Sequence, residues 1–249
     1  MKNNSISDYR CHNRKRFHLC VCLGLVAVFW LASFSSGAQE ITKILPLGDS
    51  ITQGGNARPS YRRELWLMLK QNGFNVDFVG SQTGFESTSP PDDQLDFDLD
   101  HEGHWGWETN EIADALPAWL ESYTADIALV HLGTNDFDRG ESVSDTLNDL
   151  SAVLTLLRQS NPDITILLAE IIPMRFKSTR KFNKALKAWA SNASTESSKL
   201  IIVNQYSGYY SLLYSYDKYH PNSLGEKRIA KRWFDALSEI LEPDSEATR

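Results

Sequence analysis

Three polar motifs contain the residue types that nucleophilic catalysis uses. The hydroxyl of Ser50, in Gly48-Asp49-Ser50, could act as a nucleophile. The amide of Asn135, in Gly133-Thr134-Asn135-Asp136, could point at a developing oxyanion. Asp217 lies three residues before His220, close enough to bond one ring nitrogen and leave the other free as a base.

Each motif also has an ordinary structural explanation when it is taken alone. A serine at a strand exit is commonly a turn or N-cap residue, and an asparagine after a strand is commonly a turn residue. Their shared position favours function, because ligands of an open parallel sheet bind beyond the carboxyl ends of its strands. The motifs together place a nucleophile, an amide donor and an acid–histidine pair at one sheet edge.

The elements that must hold these motifs alternate between two hydrophobic patterns. Five short, β-branched apolar runs predict strands buried on both faces. The predicted strands are Ile44–Leu47, Val76–Val79, Ile127–Leu132, Ile164–Ile172 and Leu200–Val203. Between them, apolar spacings of three and four predict helices. The predicted helices cover roughly 61–69, 112–123, 143–157, 178–192 and 229–240. This alternation predicts a parallel sheet with helices on both faces.

Two connecting segments lie outside this alternation of predicted strands and helices. Residues 81–106 contain no convincing helix or strand, and a loop that long in a compact domain is usually functional. The segment Ser223-Leu224-Gly225-Glu226 predicts a capping box at the start of the last helix. His220 would then lie just before that helix, where Pro221 keeps it extended.

The charge distribution argues against two classes of binding partner. The chain has 249 residues and a net charge of −7, but residues 1–38 contain five basic residues and one acid. The remaining residues carry 20 basic and 31 acidic groups, a net charge of −11. Nucleic acids and anionic membranes require basic surface, so neither is expected as a partner of this acidic body.

Residues 1–38 have the pattern of a secretory signal peptide. A basic start precedes an apolar run from Leu19 to Phe34, and small residues follow up to Ala38. We expect cleavage after Ala38, a secreted or periplasmic protein, and one domain over 39–249. The alternative is an uncleaved membrane anchor, although the run is short for a full span.

Cofactor and metal motifs are weak or absent in the sequence. All three cysteines lie before residue 39, so the mature chain would have no disulfide, zinc–thiolate site or cysteine nucleophile. Dinucleotide and phosphate-loop motifs are missing, and His101-Glu102-Gly103-His104 is one residue short of a zinc-protease motif. The alternating acids of 96–100 lack the glycine and distal glutamate of a calcium loop. We therefore expect neither cofactor nor metal.

In chain order, the three catalytic motifs resemble the SGNH (GDSL) hydrolase superfamily, and they bracket nearly the whole predicted mature chain. The resemblance implies ester hydrolysis on a flavodoxin-like, three-layer α/β sandwich, here with a five-stranded parallel sheet. It implies Ser50 as nucleophile, His220 as base and Asp217 as the group that orients the base. The implied oxyanion hole uses the Ser50 N–H, a glycine N–H and the Asn135 side chain.

A second resemblance concerns the segment His101-Glu102-Gly103-His104-Trp105-Gly106-Trp107. It is similar to a stretch of carbohydrate esterase family three, the acetyl xylan esterases, whose pattern ends His-Ser-Gly-Trp. The glycine of that pattern supplies an oxyanion N–H, a role that Gly106 would take here. Trp105 replaces the serine of that family. Leu45-Pro46-Leu47, Tyr61-Arg62 and Val76–Ser81 also match the family.

These resemblances imply a serine esterase that removes acetyl groups from a polysaccharide such as acetylated xylan, and the predicted signal peptide implies that it is secreted. Trp105, Trp107 and Tyr219 are candidate sugar-binding residues, although core packing is the commoner role for any one such aromatic residue. Trp105 either lines the acyl pocket or faces outward as a platform for sugar. The rival hypotheses are a lipase-, lysophospholipase- or thioesterase-like hydrolase, which needs a wide apolar acyl pocket, and a non-catalytic carbohydrate-binding protein. Membrane contact is expected only if the leader stays uncleaved.

Overall fold

The apolar segments form a parallel sheet whose central strands are buried on both faces. The computed structural model describes residues 40–244. Its strands are β1 (Thr42–Gly48), β2 (Val76–Phe78), β3 (Glu102–Gly103), β4 (Ile127–His131), β5 (Thr165–Ala169) and β6 (Leu200–Val203). The five longer strands are ordered β2-β1-β4-β5-β6, with every neighbouring pair parallel. This is the flavodoxin-like order, which confirms the predicted fold class.

The short strand β3 departs from the prediction of an irregular 81–106 and a five-stranded sheet. Glu102 and Gly103 pair in parallel with Leu47 and Gly48 at the end of β1. A single 3-10 turn, Asp92–Gln94, also interrupts the loop. Two residues are too few to show a periodic pattern, so this strand exists only through its pairing with β1. It brings the chain before Trp105 directly beside the end of β1.

Eight helices in residues 40–244 cover the sheet and its loops. They are α1 (Ser50–Gln53), α2 (Ser60–Gln71), α3 (Thr109–Trp119), α4 (Thr134–Arg139), α5 (Val143–Ser160), α6 (Arg180–Ala190), α7 (Ser211–Tyr214) and α8 (Ser223–Ser238). Helices α2 and α8 pack over one core with Ile44, whereas α3, α5 and α6 pack over another with Leu45 and Leu47. Successive residues of β1 therefore face opposite layers, as expected of a three-layer sandwich.

The predicted capping box at the start of α8 is wrong. The N-cap is Asn222, whose side-chain oxygen accepts hydrogen bonds from the backbone N–H groups of Leu224 and Gly225. Glu226 does not reach back to the cap, because its carboxylate pairs with Arg58. Ser223 is instead the first helical residue. The helix still begins where the sequence placed it, immediately after His220-Pro221.

A buried arginine ties α1 to the long 81–106 loop. The side chain of Arg62 is fully buried and donates to the carbonyl oxygens of Thr52, Gln53 and Leu99 at 2.9, 2.9 and 2.7 Å. Because buried carbonyl groups need hydrogen-bond partners, this guanidinium fixes the backbone of both segments. The loop and the end of β1 consequently form one edge of the molecule.

None of the helices in residues 40–244 combines the length and apolarity needed to cross a membrane. The predicted signal peptide, its alternative as an anchor and the three cysteines lie outside the described residues.

Candidate active site

Ser50 lies at the carboxyl end of β1, as the first residue of α1. Asp49 caps this helix by accepting a hydrogen bond from Ile51 N–H at 2.9 Å. Burial raises the pKa of Asp49 to about 7, and the nearby Asp136 carboxyl adds to the effect. A side chain at position 48 would lie 2.3 Å from Thr52 Oγ1, so only glycine permits this turn. The turn leaves Ser50 nearly buried, at 7% exposure.

Ser50, His220 and Asp217 form one hydrogen-bonded chain. His220 Nε2 is 2.9 Å from Ser50 Oγ, and His220 Nδ1 is 2.6 Å from Asp217 Oδ2. Because an ionised carboxylate only accepts hydrogen bonds, it assigns the ring proton to Nδ1. Nε2 then carries the lone pair that accepts the Ser50 hydroxyl proton. The structure thus brings together residues that are 170 positions apart.

The backbone around Asp217 holds its carboxylate in place. Partial burial alone would raise the pKa of Asp217, but hydrogen bonds from the His220 ring and from the backbone N–H groups of His220 and Tyr219 lower it further than burial raises it. The two backbone bonds, both to Oδ1, are 2.7 and 2.8 Å long. The net pKa of Asp217 lies below its ordinary value. This carboxylate therefore stays ionised at neutral pH, as a group that orients an imidazole requires.

The 104–107 loop lies beside the end of β1 and leaves one N–H group unbonded. His104 N–H donates to Gly48 O, Trp105 N–H to Gln53 Oε1, and Trp107 N–H to His104 O, at 3.0, 2.7 and 3.2 Å. Within residues 40–244 the Gly106 N–H has no partner, and Gly106 has a left-handed φ of +79°. The Ser50 N–H is likewise unbonded in this part of the chain. Both groups remain available to an oxyanion.

Helix α4 supports the same loop from the other side. Asn135 Nδ2 donates to Trp107 O at 2.7 Å, which uses one of its two amide hydrogens. Arg139 Nη2 donates to Gly106 O at 2.8 Å, and its Nη1 pairs with Glu108 at 3.1 Å. The second Asn135 hydrogen stays free for another acceptor. The predicted oxyanion residues Gly106 and Asn135 thus belong to one connected cluster.

Trp105 lies on the candidate base. Its indole stacks on the His220 ring, with centroids 4.4 Å apart and planes 21° apart. Trp105 Cζ3 would be 3.0 Å from a Cβ atom at position 55, so Gly55 provides the space for the indole. The ring is therefore held between the Gly55 backbone and the imidazole. The sequence predicts a wall of the acyl pocket or an outward platform for Trp105, and neither prediction includes a stack on His220.

The other two candidate sugar-binding aromatics take different positions. Trp107 packs against the rings of His104 and Trp119, with centroids 4.7 and 5.9 Å away. Tyr219 meets His220 edge-on and donates its hydroxyl proton to Asp138 at 2.6 Å. The pocket that contains Ser50 and His220 is lined by Trp105 and Tyr216, and neither Trp107 nor Tyr219 lines it.

Both histidines of the 101–104 segment form hydrogen bonds inside the protein. His101 Nδ1 accepts from Gly103 N–H, and its Nε2 donates to Gly84 O. Burial, reinforced by the charge of Arg62, lowers the pKa of His101 to about 2, so this ring is neutral. His104 Nε2 lies 3.0 Å from the buried Glu102 carboxylate. Residues 40–244 contain no cluster of three metal-ligating side chains.

Three residues that support the site were missed by sequence reasoning. Gln53 accepts from Trp105 N–H, Arg139 donates to Gly106 O, and Arg58 lines the pocket beside Ser50. Gln53 and Arg139 are the last residues of α1 and α4, the two helices that begin at catalytic motifs. Arg58 lies in a loop with no recognisable motif, so no pattern in the sequence marked it.

A family model described as the GDSL-like lipase/acylhydrolase family matches residues 47–228. The match covers well over half of the chain, and the protein belongs to this family. The chain is 28% identical over 235 residues to a multidomain esterase from Ruminococcus flavefaciens. That alignment covers 83% of this chain but 30% of the relative, so this chain spans less than a third of that relative's length.

Two solved structures resemble the whole described domain. One is a mutant acetyl esterase with an acetate ion, and the other is a carbohydrate esterase family 3 protein from Talaromyces cellulolyticus. Each is 29% identical, has a TM-score of 0.72, and covers 80% of this chain and 98% of the neighbour. The chain is therefore similar to carbohydrate esterases in both sequence and fold.

Proposed function

We propose that the protein is a secreted serine esterase that removes acetyl groups from a polysaccharide such as acetylated xylan. The observation that carries this proposal is the hydrogen-bonded chain from Ser50 Oγ through His220 to Asp217. That geometry suits a nucleophile, a base and the carboxylate that orients the base. Export rests on the sequence of residues 1–38 alone.

The proposed reaction has two halves. Ser50 Oγ attacks the acetyl carbonyl carbon while His220 Nε2 takes its proton, and the carbonyl oxygen becomes an oxyanion. The oxyanion accepts hydrogen bonds from the Ser50 and Gly106 N–H groups and from Asn135. His220 then returns the proton to the sugar oxygen, which leaves as an alcohol. Water, activated by the same histidine, releases acetate and regenerates the serine.

The lining of the pocket beside Ser50 supports a polar alcohol group in the substrate. Arg58, Ser60 and Glu226 contribute polar atoms to the pocket beside Ser50, whereas a lipase-like site would need a wide apolar lining. The solved acetyl esterase and the family 3 carbohydrate esterase favour acetylated carbohydrate as the substrate class. We infer that carbohydrate esters are preferred to lipids and thioesters.

The direct test compares acyl chain lengths and alcohols. We expect 4-nitrophenyl acetate to react fastest, with kcat/KM falling steeply by butyrate, because a small pocket resists added methylenes. The protein should also release acetate from acetylated xylan. A preference for octanoate over acetate would contradict the proposal and favour the lipase-like alternative.

Trp105→Ser tests what the indole does. Loss of the stack on His220 should lower kcat/KM for acetyl esters by up to about tenfold, since aromatic pairs contribute about 0.5–1.5 kcal/mol. The ratio of butyrate to acetate hydrolysis should stay within about twofold, because the indole stacks on His220 and the base acts equally on both esters. Both kinetic constants are measured with 4-nitrophenyl esters.

The matched variant is Trp105→Phe, which keeps an aromatic ring beside His220 and should recover most of the lost activity. A rise in butyrate relative to acetate in Trp105→Ser would show instead that Trp105 lines the acyl pocket.

A further inference from the structure

Arg58 is an anchored cation in the pocket that contains Ser50 and His220. Its Nε donates to Glu226 Oε1 at 2.8 Å, and its Nη2 donates to Glu226 Oε2 at 2.7 Å. Nη2 also donates to Ser223 Oγ at 2.9 Å. A guanidinium has five N–H donors, and these contacts use three of them. Within residues 40–244, the two donors of Nη1 make no hydrogen bond.

The charge around Arg58 indicates which acceptor would suit these donors. The Glu226 side chain is 9% exposed and forms a bidentate pair with the guanidinium, so the pair is electrically neutral as a unit. Such a pair attracts an anion less than a free arginine would. It still offers two fixed donors, which suit a neutral hydroxyl or ring oxygen.

The loop that contains Arg58 has a strained backbone and is held in place by hydrogen bonds. Residues 40–244 contain five non-glycine residues with positive φ, and three of them, Asn56, Ala57 and Ser60, lie within 56–60. Ala57 N–H donates to Thr88 O at 2.8 Å, and Asn56 Nδ2 donates to Tyr216 Oη at 3.1 Å. Backbone strain of this kind persists only where surrounding contacts impose it, and it concentrates at functional sites. The loop therefore fixes Arg58 before any ligand arrives.

The pocket contains Ser50 and His220 but is not lined by two of the three groups proposed to bind the oxyanion. Its lining includes His220, Pro221 and Tyr216 together with Arg58, but neither Gly106 nor Asn135. In the proposed reaction His220 Nε2 must hand its proton to the departing oxygen. The alcohol part of the ester must therefore lie within reach of His220 Nε2 during acylation, at the mouth of the pocket that Arg58 also lines.

The geometry points to Arg58 Nη1 as a donor to a hydroxyl or ring oxygen of the sugar that carries the scissile acetyl group. This subsite rests on the proposed function and specifies its alcohol: a neutral, polyhydroxylated ring. Arg58 would select such a ring over an apolar alcohol, because an alcohol without oxygen acceptors leaves both donors unpaired in the pocket.

The test compares two acetate esters of secondary ring alcohols, a monoacetylated methyl β-xyloside and cyclohexyl acetate, which lacks further hydroxyl groups. Arg58→Lys retains a cation beside Glu226 but loses the Nη1 donors. It should lower kcat/KM for the xyloside ester by about tenfold or more, as expected for a lost hydrogen bond to a charged group. The loss for cyclohexyl acetate should be several-fold smaller. The two esters form the same acetyl-enzyme, and its hydrolysis takes place after the alcohol has left. The rate of this hydrolysis, measured separately from kcat/KM, should therefore barely change in Arg58→Lys.

Arg63→Lys is the matched control. Arg63 makes the same bidentate arrangement with Asp96, at 2.6 and 2.9 Å, outside the pocket. Both esters should react with Arg63→Lys as with the wild-type protein. Arg58→Gln is a second variant, and thermal unfolding of each variant shows that the fold is retained.

Equal losses for the two esters in folded Arg58 variants would overturn the subsite and leave the proposed esterase function intact. A wild-type protein that hydrolyses cyclohexyl acetate but not the xyloside ester would overturn carbohydrate as the substrate, and the subsite with it. A selective loss for the xyloside ester supports both.

Discussion

Ser50→Ala will lower kcat for acetyl esters by on the order of 10⁴-fold or more, because the covalent route is lost with the nucleophile. The fold should survive the change, since within residues 40–244 the Ser50 side chain makes a single hydrogen bond, to His220. The residual rate would come from oxyanion stabilisation and binding alone. Initial rates with 4-nitrophenyl acetate measure the loss, and thermal unfolding measures retention of the fold.

Ser198→Ala provides the control for Ser50→Ala. Ser198 is also buried, and its hydroxyl donates to Ile164 O at 2.6 Å, away from the pocket. This variant should lose stability but keep its turnover within about twofold, because it touches no reacting group. Near-normal turnover in Ser50→Ala would remove Ser50 from the role of nucleophile.

The fold was predictable because its strands are buried on both faces. The runs that form β1, β4 and β5 are continuous and apolar, and each proved to be a central strand. The two-residue β3 was not predictable, because its pairing with Leu47 and Gly48 depends on tertiary contacts. Asn222 and Ser223 are both good N-cap residues, and sequence alone favoured the wrong one.

The two parts of the candidate site differ in how far apart their contacting residues lie in the sequence. Ser50, Asn135 and the Asp217–His220 pair each follow a strand directly or precede a helix, so local pattern marked them. Arg58 depends on Glu226, which is 168 positions away in the sequence. The position of Trp105 on His220 depends equally on distant residues. Local sequence patterns cannot show such contacts, because they arise only when the loops meet at the sheet edge.

Asn135→Ala should lower kcat by about 10²–10³-fold, the usual cost of removing one oxyanion donor. The change should fall mainly on kcat, because the oxyanion exists only near the transition state. Asn135 also donates to Trp107 O at 2.7 Å, so the variant removes a support of the 104–107 loop. Asn135→Asp keeps the shape of the side chain but loses both amide donors, and it should show a loss of similar size.

Asn161→Ala is the control that shows how much of the effect of Asn135→Ala comes from losing a structural hydrogen bond. Asn161 Nδ2 also donates to a backbone carbonyl, that of Ala125, at 2.9 Å, but far from Ser50. Losing that bond should cost about 1 kcal/mol of stability without changing kcat. If Asn135→Ala raises only KM, Asn135 contacts the bound substrate and does not stabilise the oxyanion. A fall in kcat with little change in KM would place the Asn135 amide beside the oxyanion, together with the unbonded N–H groups of Ser50 and Gly106.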